Sequence, residues 1–204
     1  MHPAFSVIFL TTLIGVGQGV FLALFTGQSY SAVELLPIQD SSRFYGNGAI
    51  IALVFLIAGL VASFFHLGRP ERAWRAASQW RTSWLSREVI ALPILMFFVF
   101  VYGAMQHFGW DKTIFTLDTG ATLQLTLVVA TLGMLATFAL FICTGMIYAC
   151  LKFLQEWYSP LTVINYTLLG TASGFVLVTA FASHSAPELM RFYGIWSTII
   201  IVGA

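Results

Sequence analysis

The sequence is poor in charged residues, and this shortage identifies its solvent. Only 8% of its 204 residues are Asp, Glu, Lys or Arg, while 59% are hydrophobic. A soluble domain carries about 25% charged residues. Because so few polar side chains cannot cover a water-facing surface, the composition predicts a protein that is solvated by lipid. The net charge is only +1, and no basic tract indicates a nucleic-acid partner.

Cysteine and histidine are also scarce, which limits the metal and redox centres that the chain can hold. Cys143 and Cys150 share one helix face and cannot bridge each other without distortion. With no CxxC motif and no Cys/His cluster, we expect no iron–sulfur cluster or structural zinc site. Haem b needs two histidines that face one iron, and we expect none here. All four histidines lie at the ends of apolar runs or outside them: His2, His66, His107 and His184.

Long apolar runs divide the chain into helices that can span a membrane. A span needs about 20 apolar residues. Lys, Arg, Asp and Glu all lie outside the runs, with Glu88 on a boundary, because a charge at mid-bilayer costs roughly 3 kcal/mol. We therefore predict an all-α polytopic transmembrane helical bundle, a single domain over residues 1–204 with about six spans. The runs are Pro3–Phe25, Gly48–Phe65, Val89–Gln106, Ala121–Leu151, Pro160–Phe181 and Phe192–Ala204.

Three runs carry further expectations. The first lacks a preceding basic segment, so we expect it to be retained rather than cleaved as a signal peptide. Ala121–Leu151 is too long for an untilted span and is expected to tilt or to extend beyond the bilayer. Phe192–Ala204 is too short to cross the bilayer, so we expect the chain to continue beyond Ala204.

The distribution of basic residues predicts the orientation. With the N-terminus on one side, here called side B, that side also carries the loop between the second and third runs. Side B then has six basic residues and the opposite side, side A, has three. The positive-inside rule makes side B cytoplasmic. The side B residues are Arg69, Arg72, Arg75, Arg81, Arg87 and Lys152, and those on side A are Arg43, Lys112 and Arg191.

The loop between the second and third runs is predicted to contain an interfacial helix. Gly68 suits a helix end, and Pro70 suits the first turn of the next helix. Helix formers fill Glu71–Arg81, and tryptophans recur there at helical spacing. Because indoles favour the membrane interface, we expect residues 67–87 to form a docking loop or helix lying flat on side B.

Two groups that exchange protons flank this loop. His66 ends the second run and Glu88 begins the third, where Ser86 is predicted to cap the helix and Glu88 to lie in its first turn. The plainer interpretation is a membrane-surface anchor, in which Glu88 answers the helix dipole or pairs with a loop arginine. A histidine and a carboxylate at one depth beside five arginines favour instead a redox molecule that exchanges protons with its electrons, such as a quinone.

The loop resembles a known family. The stretches His-Leu-Gly-Arg-Pro-Glu-Arg-Ala at 66–73 and Ser-Trp-Leu-Ser-Arg-Glu at 83–88 resemble the DmsC-type membrane anchors of dimethyl-sulfoxide-reductase-family molybdoenzymes. The variant is most similar to anchors of cytoplasm-facing sulfite-oxidising complexes. The resemblance implies about eight spans and no haem. It also implies a molybdopterin catalytic subunit and a ferredoxin-like subunit with four iron–sulfur clusters, both docked at a bacterial cytoplasmic membrane.

In this family the motif's histidine and glutamate belong to the site for ubiquinone or menaquinone, which implies His66 and Glu88 here. Arg81 is expected to tune both groups by charge. Asn165 and Tyr166 either contact the quinone or satisfy each other between helices. The residues expected to dock the iron–sulfur subunit, or else to face lipid headgroups, are Arg69, Arg72, Arg75 and Trp74.

Other functions stay open at the level of sequence. The same anchor can serve sulfite oxidation or, in the opposite direction, oxidise quinol for a dimethyl sulfoxide or related S- or N-oxide reductase. A small-solute transporter would need polar groups at mid-membrane or broken, repeated spans. Gln18 is the notable polar residue within a run, and it lies beside Gly15 and Gly19, a pair typical of close helix packing. A purely structural anchor is the third alternative.

Overall fold

The protein is a bundle of long helices. A computed structural model describes residues 5–36, 41–65, 70–116 and 122–204. The α-helices are α1 (Phe5–Ala32), α2 (Asn47–Phe64), α3 (Trp84–Phe108), α4 (Leu125–Ala149), α5 (Pro160–Ser185) and α6 (Pro187–Gly203). A π-helical turn, Ser41–Gly46, leads into α2, and a 3-10 helix, Pro70–Gln79, lies between α2 and α3. Two short antiparallel strands, β1 (Thr113–Thr116) and β2 (Thr122–Gln124), precede α4.

The predicted all-α polytopic fold is confirmed. Each of the six apolar runs corresponds to a helix, and within the described residues five helices are long and apolar enough to cross a membrane. α6 has 17 residues and is the shortest. Because the helices alternate in direction, the starts of α1, α3 and α5 and the ends of α2 and α4 lie at side B. The 3-10 helix begins at Pro70, as the sequence indicated.

The long fourth run does not begin as a helix. Its residues Thr122–Gln124 pair with β1, and α4 starts only at Leu125. Because residues of this run pair with β1, α4 is shorter than the run and has 25 residues, an ordinary length for a span. The strand residues include threonines, Ile114 and Phe115, which are good strand formers.

The predicted start of the third span was wrong by one turn. Ser83, not Ser86, caps α3, and its hydroxyl accepts the backbone N–H of Ser86 at 3.4 Å. The helix therefore begins at Trp84, and its first turn contains no acidic residue. Glu88 lies beyond that turn, so neutralising the helix dipole does not explain its position.

α1 packs most extensively against α2 and α5. Glycines allow the close approach to α5: a Cβ atom on Gly19 would meet the backbone of Gly170, and one on Gly174 would meet the backbone of Gly19. Gln18 is buried beside this contact, and its Nε2 donates to the Thr137 carbonyl of α4 at 3.1 Å. The packing role predicted for the Gly15–Gly19 pair is confirmed.

Candidate functional site

A cavity of about 340 Å³ opens at the side B end of the bundle. Its walls come from α1, α2, the 3-10 helix and α3. Most of its lining is aliphatic or aromatic, contributed for example by Ile14, Leu60 and Leu92. Ser63, Trp74 and Glu88 are the lining residues with polar side-chain atoms. Ligand sites in proteins have this character, a mostly apolar cleft of about 300–1,000 Å³ with a few placed polar groups.

Glu88 is the acidic group of this cavity, and it is almost fully buried, with 7% of its surface exposed. On the α4 side, the hydroxyl of Thr144 donates to Glu88 Oε1 at 2.7 Å. A buried carboxyl needs such partners, because burial without a hydrogen bond is costly. The bond from Thr144 engages one of the two carboxyl oxygens of this cavity-lining residue.

α3 provides a second acceptor next to Glu88. Pro93 lies inside the helix and has no N–H, so it cannot donate to the Val89 carbonyl one turn earlier. Val89 and Pro93 both line the cavity. In the cavity lining, Glu88 is therefore followed by a residue whose backbone carbonyl has lost its usual helix donor.

The two α5 residues predicted for the site lie outside the cavity lining. The Tyr166 hydroxyl donates to the Thr11 carbonyl of α1 at 3.1 Å, and its ring meets Phe141 edge-on. Asn165 is exposed on the surface of the bundle. Tyr166 thus lies behind Glu88, near Thr144, where it joins α5 to α1 instead of facing the cavity.

The loop arginines stack on neighbouring tryptophans. Arg75 lies over Trp74, with its guanidinium carbon 5.5 Å from the ring centre, and Arg81 lies over Trp80 at 5.3 Å. Trp74 also lines the cavity, yet 71% of its surface is exposed. These pairs fix the guanidinium groups at the surface, where each cation–π contact contributes roughly 0.5–1 kcal/mol.

Arg87 ties the loop to α3, a role that the sequence did not suggest. Its guanidinium stacks on Trp84 at 4.1 Å and donates to the carbonyls of Trp80 and Arg81, at 3.0 and 2.9 Å. The resulting clamp holds the end of the 3-10 helix segment against the start of α3. Arg81 itself is exposed and does not line the cavity.

Two predicted residues, His66 and Arg69, lie outside the described residues, so their roles remain predictions. Of the other histidines, His107 and His184 are exposed at the side A ends of α3 and α5. Across the described ranges, no three His, Cys, Asp or Glu side chains group as they would around a metal ion.

Two features of the site were not predicted from sequence: the hydrogen bond from Thr144, and the cavity wall formed by α1. Threonine is common in α4, so composition alone does not distinguish Thr144 from its neighbours. The sequence does contain one signal for a polar site in this part of α3, namely Pro93. A proline inside a span leaves a backbone carbonyl without its helix donor, and such a carbonyl needs another partner.

Comparison with known proteins identifies a family and a relative of this chain. Residues 1–203 match the family "DMSO reductase anchor subunit (DmsC)". The chain is 56% identical over 200 residues to a sulfite dehydrogenase subunit of Allochromatium vinosum. The alignment covers 98% of this chain and 61% of that relative, so the chain spans about three fifths of the relative's length. No solved structure matches the chain.

Proposed function

We propose that this chain, which belongs to the DMSO reductase anchor subunit (DmsC) family, is the quinone-reactive membrane anchor of a molybdenum oxidoreductase. The observation that carries the proposal is the apolar cavity at side B that has Glu88 in its wall. A membrane quinone is an apolar ring with two carbonyl groups. It fits a cavity whose lining is almost wholly apolar and includes a few polar groups.

Glu88 and Val89 of the cavity lining, together with His66, would bind the headgroup and move its protons. When bound, a quinone supplies two-electron, two-proton redox chemistry. Glu88 would exchange one proton with a headgroup oxygen, and the Val89 carbonyl would accept a hydrogen bond from the reduced form. His66, two residues beyond the cavity-lining Phe64 in sequence, is proposed for the second proton. Arg81 is proposed to act on both by charge.

The electrons would pass to or from clusters on a partner. We propose an iron–sulfur subunit with four clusters at the exposed arginine–tryptophan surface, meaning Arg72, Trp74 and Arg75. Arg69, which lies outside the described residues, is proposed to contact the same subunit. A molybdopterin subunit would dock on that partner. Residues 67–87 and the N-terminus would then face the cytoplasmic side of a bacterial inner membrane, as the positive-inside rule predicts.

The relative's name favours one direction. The similarity to a subunit of a sulfite dehydrogenase supports sulfite oxidation, in which sulfite and water would give sulfate, two protons and two electrons on the partner subunits. The two electrons and two protons would then be taken up by the quinone at this chain. The family description supports a second candidate, an S- or N-oxide reductase that oxidises quinol. Both use the same site in opposite directions.

The direct test uses the complex purified from membranes and reconstituted in lipid nanodiscs. We expect sulfite to drive reduction of a short-chain ubiquinone or menaquinone analogue as well as of a soluble dye. A complex that reduces the dye with sulfite but never reduces either quinone would contradict the quinone role. Oxidation of quinol by dimethyl sulfoxide, without any sulfite activity, would favour the reductase.

The proposed docking surface predicts a charge-reversal effect. The double variant Arg72→Glu, Arg75→Glu is expected to weaken retention of the soluble subunits in the membrane fraction by about tenfold. The reason is that exposed charges steer and hold an acidic partner. The measurement is the share of molybdenum activity that sediments with membranes at low and high salt. Arg191→Glu, an exposed arginine at the opposite end of the bundle, is the control. Unchanged retention in the double variant would show that the partner docks elsewhere.

A further inference from the structure

Most threonine hydroxyls in this bundle form a hydrogen bond within their own helix. They donate to the carbonyl four residues earlier, an arrangement that hides the hydroxyl inside an apolar span. Examples are Thr26, Thr131, Thr137, Thr167, Thr171, Thr179 and Thr198. Thr144 differs, because its hydroxyl crosses to α3 and donates to Glu88 over a sequence separation of 56 residues.

We propose that Thr144 is a positioning residue for Glu88 in the quinone site. The inference rests on the function proposed above. The hydroxyl of Thr144 holds Oε1 at 2.7 Å from the α4 side, and Glu88 lines the cavity on the other side. A glutamate has three flexible side-chain torsions. Fixing one carboxyl oxygen restricts these torsions and so holds the carboxyl group in one orientation at the cavity wall, where a proton must be exchanged within hydrogen-bonding distance.

The residues around Thr144 leave its side chain little room to move away from Glu88. Thr144 is buried, with 1% of its surface exposed. The next residue, Gly145, lets α5 approach so closely that a Cβ there would press on Val163. Behind Thr144, the Tyr166 hydroxyl has its own acceptor, the Thr11 carbonyl. Thr144 is thus enclosed in a closely packed part of the bundle, where α4 and α5 touch and α5 is bonded to α1.

The main test compares Thr144→Val with Thr144→Ser in the whole complex. Valine keeps the shape but loses the donor, and we expect quinone-coupled kcat to fall about tenfold, the effect of losing one hydrogen bond to an ionisable group. Serine keeps the donor and should restore most of the rate. The matched control is Thr137→Val, because Thr137 is equally buried in α4 but donates to the Gly133 carbonyl. It should leave quinone turnover unchanged.

A vibrational readout separates positioning from a general effect on folding. In quinone-induced infrared difference spectra, the Glu88 carboxyl band should be absent in Glu88→Gln. In Thr144→Val it should move to higher frequency, because the C=O bond stiffens when it loses a hydrogen bond. In Thr144→Ser and Thr137→Val it should stay in place.

The outcomes distinguish this inference from the function on which it rests. Normal quinone turnover in Glu88→Gln would overturn the proposed site itself. If Glu88→Gln loses quinone turnover while Thr144→Val matches the wild type in rate and in band position, the positioning role of Thr144 is overturned and the quinone site stands. A rate loss in Thr144→Val that serine does not reverse would also contradict the positioning role.

Discussion

Replacing Glu88 with Gln is expected to lower quinone-coupled turnover by about two orders of magnitude. Glutamine has nearly the shape of glutamate and can still contact Thr144, so the cavity should keep its form. The amide, however, cannot take or release a proton near neutral pH, and positioned acid–base groups contribute about 10²–10⁴-fold to a rate. Reduction of a soluble dye by the partner's clusters should continue, because that reaction does not pass through the cavity.

The control for this variant is Glu71→Gln, which changes the same residue type on the same side of the bundle. Glu71 is exposed, and its carboxylate lies 4.0 Å from Nε of Arg72. It should leave quinone turnover within about twofold, since a surface ion pair contributes little. The measurement is the ratio of the initial rate with a quinone analogue to the initial rate with the dye, both taken on the same preparation. An unchanged ratio in Glu88→Gln would remove Glu88 from the proton pathway.

The helices of this fold could be read from sequence because the bilayer imposes one strong rule. Backbone groups in lipid must bond within their own segment, so a long apolar run can only become a helix. The ends of the helices follow weaker, local rules. Ser83 and Ser86 are both suitable caps by residue type, and the helix begins after Ser83. The pairing of Thr122–Gln124 with β1 depends on contacts between two strands, which hydropathy does not report.

The site was predictable in part, for a similar reason. Glu88 could be found because an acidic residue at the edge of an apolar run is unusual. Its donor could not be found, because Thr144 looks like any threonine of α4 until α3 and α4 are placed side by side. The same limit applies to Tyr166, whose hydroxyl was expected either to contact the quinone or to bond Asn165 between helices, and which donates to the Thr11 carbonyl.

One short helix connects the two proposed functions. The 3-10 helix lines the cavity through Ala73, Trp74 and Ala76, and it displays Arg75 and the exposed part of Trp74 on its outer surface. A helix is about 10 Å wide. A partner docked on the outer surface would therefore lie about one helix away from a headgroup in the cavity. Electrons would have a short path, while the apolar wall keeps the headgroup apart from water.

This arrangement predicts a large effect at Ala76. Substitution by Trp should fill much of the cavity of about 340 Å³ from the 3-10 helix, leaving Glu88 and Thr144 intact. Overpacking of a filled space costs about 1–3 kcal/mol, so quinone affinity should fall by tenfold or more. The expected signature is a raised KM for the quinone analogue with membrane retention of the soluble subunits unchanged, because the arginines of the outer surface remain.

Gln79→Trp is the matched control for Ala76→Trp, since Gln79 ends the same helix, is exposed and does not line the cavity. A tryptophan there adds the same indole to the same side of the bundle, so an effect through lipid or through the partner would appear in both variants. A quinone KM raised only by Ala76→Trp would place the headgroup beneath the 3-10 helix. Equal KM values in the two variants and the wild type would mean that the quinone binds outside this cavity. Glu88 would then have to act through another opening of the bundle.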